Sequence, residues 1–186
     1  MNTQKSEMEI RIANYFAASS LMEREPKTWN VIALLDSGTT PTDFLTTHSQ
    51  SNLCLWFDDI ESPRANKLLP SREQVERALG FASDKQRLLV SCRAGQGRSA
   101  ALAFVVACRN LDVEQALLLL NPKRHLPNRR IVALGDGLLA PSEALVKFDA
   151  WKLQHVHVRL SDYYDEMERE LDELEAQGAT NRICTS

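Results

Sequence analysis

The chain has 186 residues, 44% of them hydrophobic and 25% charged, with a formal net charge of −3 and a pI near 5.8. That length suits one domain and lets roughly two-thirds of the unfolded surface be buried without disulfides or a metal; the composition excludes a disordered or collagen-like chain, and the acidic balance argues against a nucleic-acid-binding surface. The charge is uneven: residues 161–175 hold eight acids against Arg169 alone, and with Arg182 beyond them residues 1–160 are left at +3.

In chain order, Glu9–Ala13 alternates and predicts a short strand. Ala17–Glu25 predicts a helix ended by Pro26. Val31–Leu35 and Leu53–Phe57 are continuous apolar runs, as expected of strands buried on both faces of a parallel sheet. A loop from Glu61 to Leu69 leads to a capping box at Ser71–Gln74 and a helix carried by Val75, Leu79 and Ala82. Leu88–Val90 is a further buried strand, followed by the loop Cys92–Gly97 and a helix over Arg98–Arg109. Asp112–Gln115 reads as a second capping box, opening a helix that stops at Asn121-Pro122. Further helices are expected over Asn128–Leu139 and from Pro141 to Trp151, and the alternation of His155–Leu160 fits an edge strand or an extended linker. Leu160, Tyr164, Met167, Leu171 and Leu174 repeat at heptad spacing, giving an amphipathic helix with acidic outer faces, and 176–186 reads as a frayed end.

Strands alternating with helices predict an α/β fold: a central, mostly parallel sheet flanked by helices, with a helical C-terminal half. The expected division is a domain over 1–160 and an acidic helical tail over 161–186, which docks in cis or mediates dimerisation. Cysteines 54, 92, 108 and 184 form no C-x-x-C pair and read as reduced thiols. The N-terminus has no apolar signal region and no 18-residue apolar run occurs, so a cytoplasmic protein without a membrane span is expected.

The chemistry is concentrated after Val90. Six residues separate strand from helix, with Gly95 and Gly97 among them, so backbone N–H groups can turn inward as an anion nest. The helix adds its positive end, and Arg98 at its start offers a fork to a tetrahedral oxyanion. Cys92 stands in that positive field, which favours a nucleophilic thiolate. The lysine and spacing of an ATP-type phosphate loop are missing.

Cys92-x5-Arg98-Ser99, with Gly95 in register, resembles the signature of cysteine-dependent protein tyrosine phosphatases, above all the compact dual-specificity branch and its small bacterial relatives. The resemblance covers about 30–140. It implies a phosphatase-like fold and hydrolysis of phosphomonoesters, on phosphotyrosine and phosphoserine or phosphothreonine proteins, through a phosphocysteine. It implies Cys92 as nucleophile, Arg98 and the loop Arg93, Ala94, Gly95, Gln96 and Gly97 as the phosphate cradle, and Ser99 as a hydrogen-bond partner of the sulfur. It needs no metal and no cofactor. The family's general acid lies on an upstream loop; here Asp59, 33 positions before Cys92, fits the hydrophobic-x-hydrophobic-x-Asp pattern, with Asp58 as the alternative. Pro127-Asn128 echoes the Pro-Asn that opens a late helix in the family. One departure stands out: Ser91 occupies the position of the family's usual histidine. Ser91 therefore leaves open a phosphate-binding adaptor with weak or no turnover, and the added basic Arg93 leaves open a phosphoinositide phosphatase. His155-x-His157 lacks a third metal ligand, and Cys54 and Cys108 sit in apolar runs that suit packing.

Overall fold

The computed structural model describes residues 8–140 and 142–185. Strand β1 (Glu9–Asn14) leads into α1 (Tyr15–Arg24), β2 (Asn30–Leu35), the two-residue β3 (Thr40–Pro41) and the short α2 (Asp43–His48). Then come β4 (Ser51–Trp56), α3 (Arg72–Ala82), β5 (Arg87–Cys92) and α4 (Arg98–Cys108). The chain continues through α5 (Val113–Leu117), α6 (Arg129–Leu138), α7 (Ala144–Gln154), α8 (Leu160–Ala176) and β6 (Cys184–Thr185).

The main sheet has the order β1-β5-β2-β4 and every pairing in it is parallel. Parallel neighbours need crossover connections, so helices cover both faces. The inner strands β2 and β5 are buried almost throughout, whereas the edge strands β1 and β4 are mostly half-buried and Trp56 is exposed. Contrary to expectation, the run Leu53–Phe57 is therefore not buried on both faces. All six residues of β2 are buried, and its alternation divides the core. Ile32 and Leu34 face the cluster built with α3, α4, α6 and α7, including Val75, Phe104, Ile131 and Phe148. Val31, Ala33 and Leu35 face the cluster built with α1 and α2, including Met22, Trp29 and Phe44. Because β5 lies inside the sheet, its carboxyl end opens in the middle of the strand ends, where ligands of such sheets bind.

Several expectations change. The expected start of the seventh helix at Pro141 lies outside the described residues. The capping box at Ser71–Gln74 forms, whereas Asp112 makes no side-chain cap bond and α5 stops at Leu117. His155–Leu160 forms no strand: the His155 ring takes the Trp151 carbonyl at 2.7 Å and the chain turns into α8. The segment after α8 is docked, not frayed, over its described residues. Ile183 is fully buried among α1 and α2 residues, and Cys184–Thr185 pairs antiparallel with β3. Helix α8, the core of the expected acidic tail, lies against the body. Arg124 holds Glu170 with one nitrogen at 2.6 and 2.7 Å, and the Tyr163 hydroxyl donates to the Pro122 carbonyl at 3.0 Å.

Candidate active site

Cys92 is the last residue of β5, 1% exposed, and its Sγ lies 3.1 Å from Ser99 Oγ in the first turn of α4. The loop between them is shaped by its glycines. Gly95 has φ +68°, a left-handed conformation, and a Cβ there would stand 2.6 Å from Asn14 N and 2.8 Å from Ala13 C. The loop therefore presses against the end of β1, whose Asn14 pairs with Cys92 in the sheet. Gly97 immediately precedes α4, and a Cβ on it would lie 2.0 Å from Asp59 Oδ2. No side chain larger than hydrogen fits between this loop and that carboxylate as they stand.

Arg98 is 3% exposed. Nη1 donates to the Phe57 carbonyl at 2.7 Å, and Nη2 pairs with Asp36 Oδ1 at 2.6 Å. Nε is buried and has no hydrogen-bond partner among the described residues. Burial opposes the guanidinium charge, but Cys92, Asp36, Tyr15 and Asp59 outweigh it and hold the group above its ordinary pKa. Asp36 is the residue that the sequence reading missed. It stands directly after β2, at the same carboxyl edge of the sheet as Cys92, which was the available signal. Tyr15 is a second one: its hydroxyl donates to the Leu34 carbonyl at 2.6 Å, and desolvation raises its pKa against the pull of Arg98.

The two candidate acids occupy different environments. Asp58 is 4% exposed and fully engaged: Oδ2 accepts from Ser37 Oγ at 2.8 Å and Leu68 N at 2.7 Å, and Oδ1 meets Lys67 Nζ at 3.2 Å. Burial pushes this carboxyl up, but the Leu68 N–H, Ser37 and Lys67 together hold it below the ordinary range. Asp58 closes the loop that runs to Leu68. Asp59 is exposed, lines an open cleft beside Gly97, and accepts from Asn128 Nδ2 at 2.8 Å. Asn128 is 3% exposed, caps α6 through Ile131 N, and donates its own backbone N–H to the Gly97 carbonyl at 3.3 Å. The Pro-Asn pair thus ties acid and loop together.

Of the remaining loop residues, Ala94, Gln96 and Gly97 line the cleft, while Arg93 is exposed to solvent. Gln96 does not stand free at the rim: its Nε2 donates to the Tyr163 carbonyl of α8 at 2.7 Å. Ser91 is fully buried, and its hydroxyl has no hydrogen-bond partner among the described residues. Among the described residues no group of three or more His, Cys, Asp or Glu side chains could hold a metal, and no helix is long and apolar enough to cross a membrane.

No family model and no curated protein matches the chain. Solved structures do. One is Tk-PTP in its active form, at 17% identity and TM-score 0.49, covering 70% of this chain and 89% of that one. Human DUSP28 aligns at 16% identity and TM-score 0.49, over 72% of this chain and 95% of that chain. A mouse putative dual specificity phosphatase, complexed with zinc tungstate, aligns at 18% identity and TM-score 0.48, over 74% and 86%. The likeness is to phosphatases. At these values it gives no residue of this chain a role, and the chemistry rests on the geometry above.

Proposed function

We propose that the chain is a phosphoric monoester hydrolase of the protein-tyrosine and dual-specificity type, with Cys92 as its nucleophile. The observation that carries this reading is the pairing of a buried Cys92, 3.1 Å from Ser99 Oγ, with a buried Arg98 whose Nε has no partner, across one strand–loop–helix turn. A buried guanidinium N–H left unpaired is costly unless an anion completes it. A phosphate dianion does so, held by Arg98 and by the N–H groups of residues 93–98 at the positive end of α4.

In this scheme the Cys92 sulfur donates an electron pair to phosphorus as the bond to the leaving oxygen breaks. Asp59, protonated, gives its proton to that oxygen. The phosphocysteine is then opened by water, whose proton returns to Asp59; the sulfur leaves with the S–P electron pair, eased by the Ser99 hydroxyl. Phosphate departs and the enzyme regains its starting state without metal or cofactor. Asp59 suits the part because it is exposed at the cleft, whereas Asp58 is spent on Ser37, Lys67 and Leu68. The substrates of this reading are phosphorylated proteins, and four free thiols suit a reducing compartment such as the cytoplasm.

The unpartnered Ser91 hydroxyl favours one second reading, a phosphate-binding module with slow turnover. One experiment separates the two. The wild-type chain is expected to hydrolyse a generic aryl phosphate, and Cys92→Ser to lose turnover while still binding inorganic phosphate. Phosphate binding without turnover in the wild type supports the module; equal turnover in Cys92→Ser overturns the phosphatase reading.

A further inference from the structure

The cleft beside Gly97 continues beyond the loop. It has a volume of about 440 Å³ and is walled on its far side by Tyr163, Tyr164 and Met167 of α8. A second hollow of about 190 Å³ is lined by Trp151, His155, Val156 and Val158. The two hollows share Leu126, Pro127, Lys152, Leu160 and Tyr163, so they form one groove leading away from the loop. Its lining is largely apolar and still uncovered: Val156 is 74% exposed, Leu160 57% and Tyr164 54%. Large apolar side chains gathered beside a polar site are a recognition surface.

The α8 wall is fixed to both sides of the groove. Gln96 binds it from the loop, and Arg124 and the Pro122 carbonyl hold it from the segment before Leu126. Its remaining surface is acidic. Glu168 follows Tyr164 by one helical turn, and Glu61 lines the cleft near Asp59. The groove therefore offers apolar contact while its borders repel additional negative charge; beside His125 and His155, Lys152 is the one lysine or arginine among its described lining residues.

Building on the phosphatase reading, we propose that this groove is a subsite for the chain flanking a phosphorylated residue. It selects phosphopeptides with a bulky apolar neighbour over acidic peptides and over polyanionic lipid headgroups. Leu160 and Tyr164 line the same cleft as the loop residues Ala94, Gln96 and Gly97. An extended peptide advances only roughly 3.3 Å per residue, so they are the walls offered to the nearest neighbours of a phosphorylated side chain held in the loop. A phosphoinositide would bring further phosphates against Glu61 and the acidic helix.

The test uses the full chain carrying Cys92→Ser, which binds without turnover. Three ligands are compared: a phosphopeptide with leucine beside the phosphorylated residue, the same peptide with aspartate there, and vesicles containing phosphatidylinositol phosphates. The leucine peptide is expected to bind roughly tenfold more tightly than the aspartate peptide, the scale of one partly buried leucine. Leu160→Ser alone, and combined with Tyr164→Ala, should erase most of that ratio; both side chains are more than half exposed, so the circular dichroism spectrum should not change. The same ranking is expected in kcat/KM of the wild-type chain. Equal affinity for the two peptides, a ratio indifferent to both variants, or tighter binding to the vesicles overturns the proposal. Failure of aryl phosphate hydrolysis by the wild type would instead strike the phosphatase reading, which the binding ratio does not measure.

Discussion

Replacing Gly97 by alanine separates the acid from the rest of the machinery. The added Cβ would meet Asp59 Oδ2 at 2.0 Å, Cγ at 2.8 Å and Oδ1 at 3.0 Å, where ordinary contact begins near 3.4 Å. The carboxylate must therefore retreat by about 1.4 Å, and the 2.8 Å bond from Asn128 is strained or lost. The backbone adds little to this: φ −96° and ψ −79° at 97 lie at the edge of the right-handed region and not in the left-handed one, and the main obstruction is the end of an exposed side chain. Stability should change by less than about 1 kcal/mol, whereas a displacement of this size costs about a hundredfold in rate where geometry governs proton transfer. The assay is kcat over a series of aryl phosphates of rising leaving-group pKa. A good leaving group departs without help, so the loss should be small for it and grow steeply towards poor ones. Asp59→Asn should show the same dependence. A Gly97→Ala protein with wild-type kcat on a poor leaving group would refute Asp59 as the acid.

Two further outcomes follow from the buried charges. Asp36→Asn removes the anion that neutralises Arg98, a group 3% exposed. Asp36 itself is partly solvated, so the loss should fall below the full buried-pair range, at about 2 kcal/mol by chemical denaturation. Saturating inorganic phosphate should then raise Tm more in the variant than in the wild type, because the ligand supplies the missing charge; an unchanged Tm response would contradict the pairing. His125 is pushed down to about 4, first by burial and then by the charge of Arg124. Its folded pKa lies below the unfolded value near 6.5, so its contribution is complete above pH 6.5 and is lost as pH falls towards 4, by up to roughly 3 kcal/mol. Urea midpoints between those pH values should slope accordingly, and His125→Asn should flatten the slope. The lowered Asp58, Glu9 and Asp149 act with the same sign, but their loss is concentrated near and below their unperturbed 3.8 and 4.5, so the slope between about pH 6.5 and 5.5 is the part that reports His125. An equal slope in the variant would place the proton elsewhere.

The central sheet was legible because its inner strands β2 and β5 are buried on both faces, and a strand such as Val31–Leu35 must then be apolar throughout. The loop was legible because its chemistry is local: Cys92, Gly95, Arg98 and Ser99 lie within eight consecutive positions. What sequence pattern missed depends on partners far along the chain. Strands β3 and β6 have two residues each and exist because Thr42 N meets the Ile183 carbonyl at 3.0 Å across 141 positions. Periodicity cannot register so short an element, and the polar run after Ala176 looks unstructured until Ile183 is seen in the second core. Asp36 read as turn punctuation, since nothing nearby in sequence marks it as the counter-charge of an arginine 62 positions later. Pairwise alternation failed at His155–Leu160 for a related reason: it has no strand beside it to bond, and the His155 ring returns to its own helix.

Asn128 explains how these distant pieces act as one. Its Oδ1 caps α6, its Nδ2 donates to Asp59 and, at 3.3 Å, to the Ile60 carbonyl, and its backbone N–H reaches the Gly97 carbonyl. A helix cap alone needs only the first of these bonds, and serine or aspartate would supply it. Aspartate would place a second carboxylate against Asp59, and serine is too short to bridge, so the amide is the side chain that caps the helix and donates to the acid at once. Asn128 is buried and its bonds are mutually constraining, so Asp59 inherits the order of α6 and of the oxyanion loop even though its own carboxylate is exposed to solvent. A weak two-residue echo in the sequence thus marks the joint at which the acid, the cradle and the late helix are held in register.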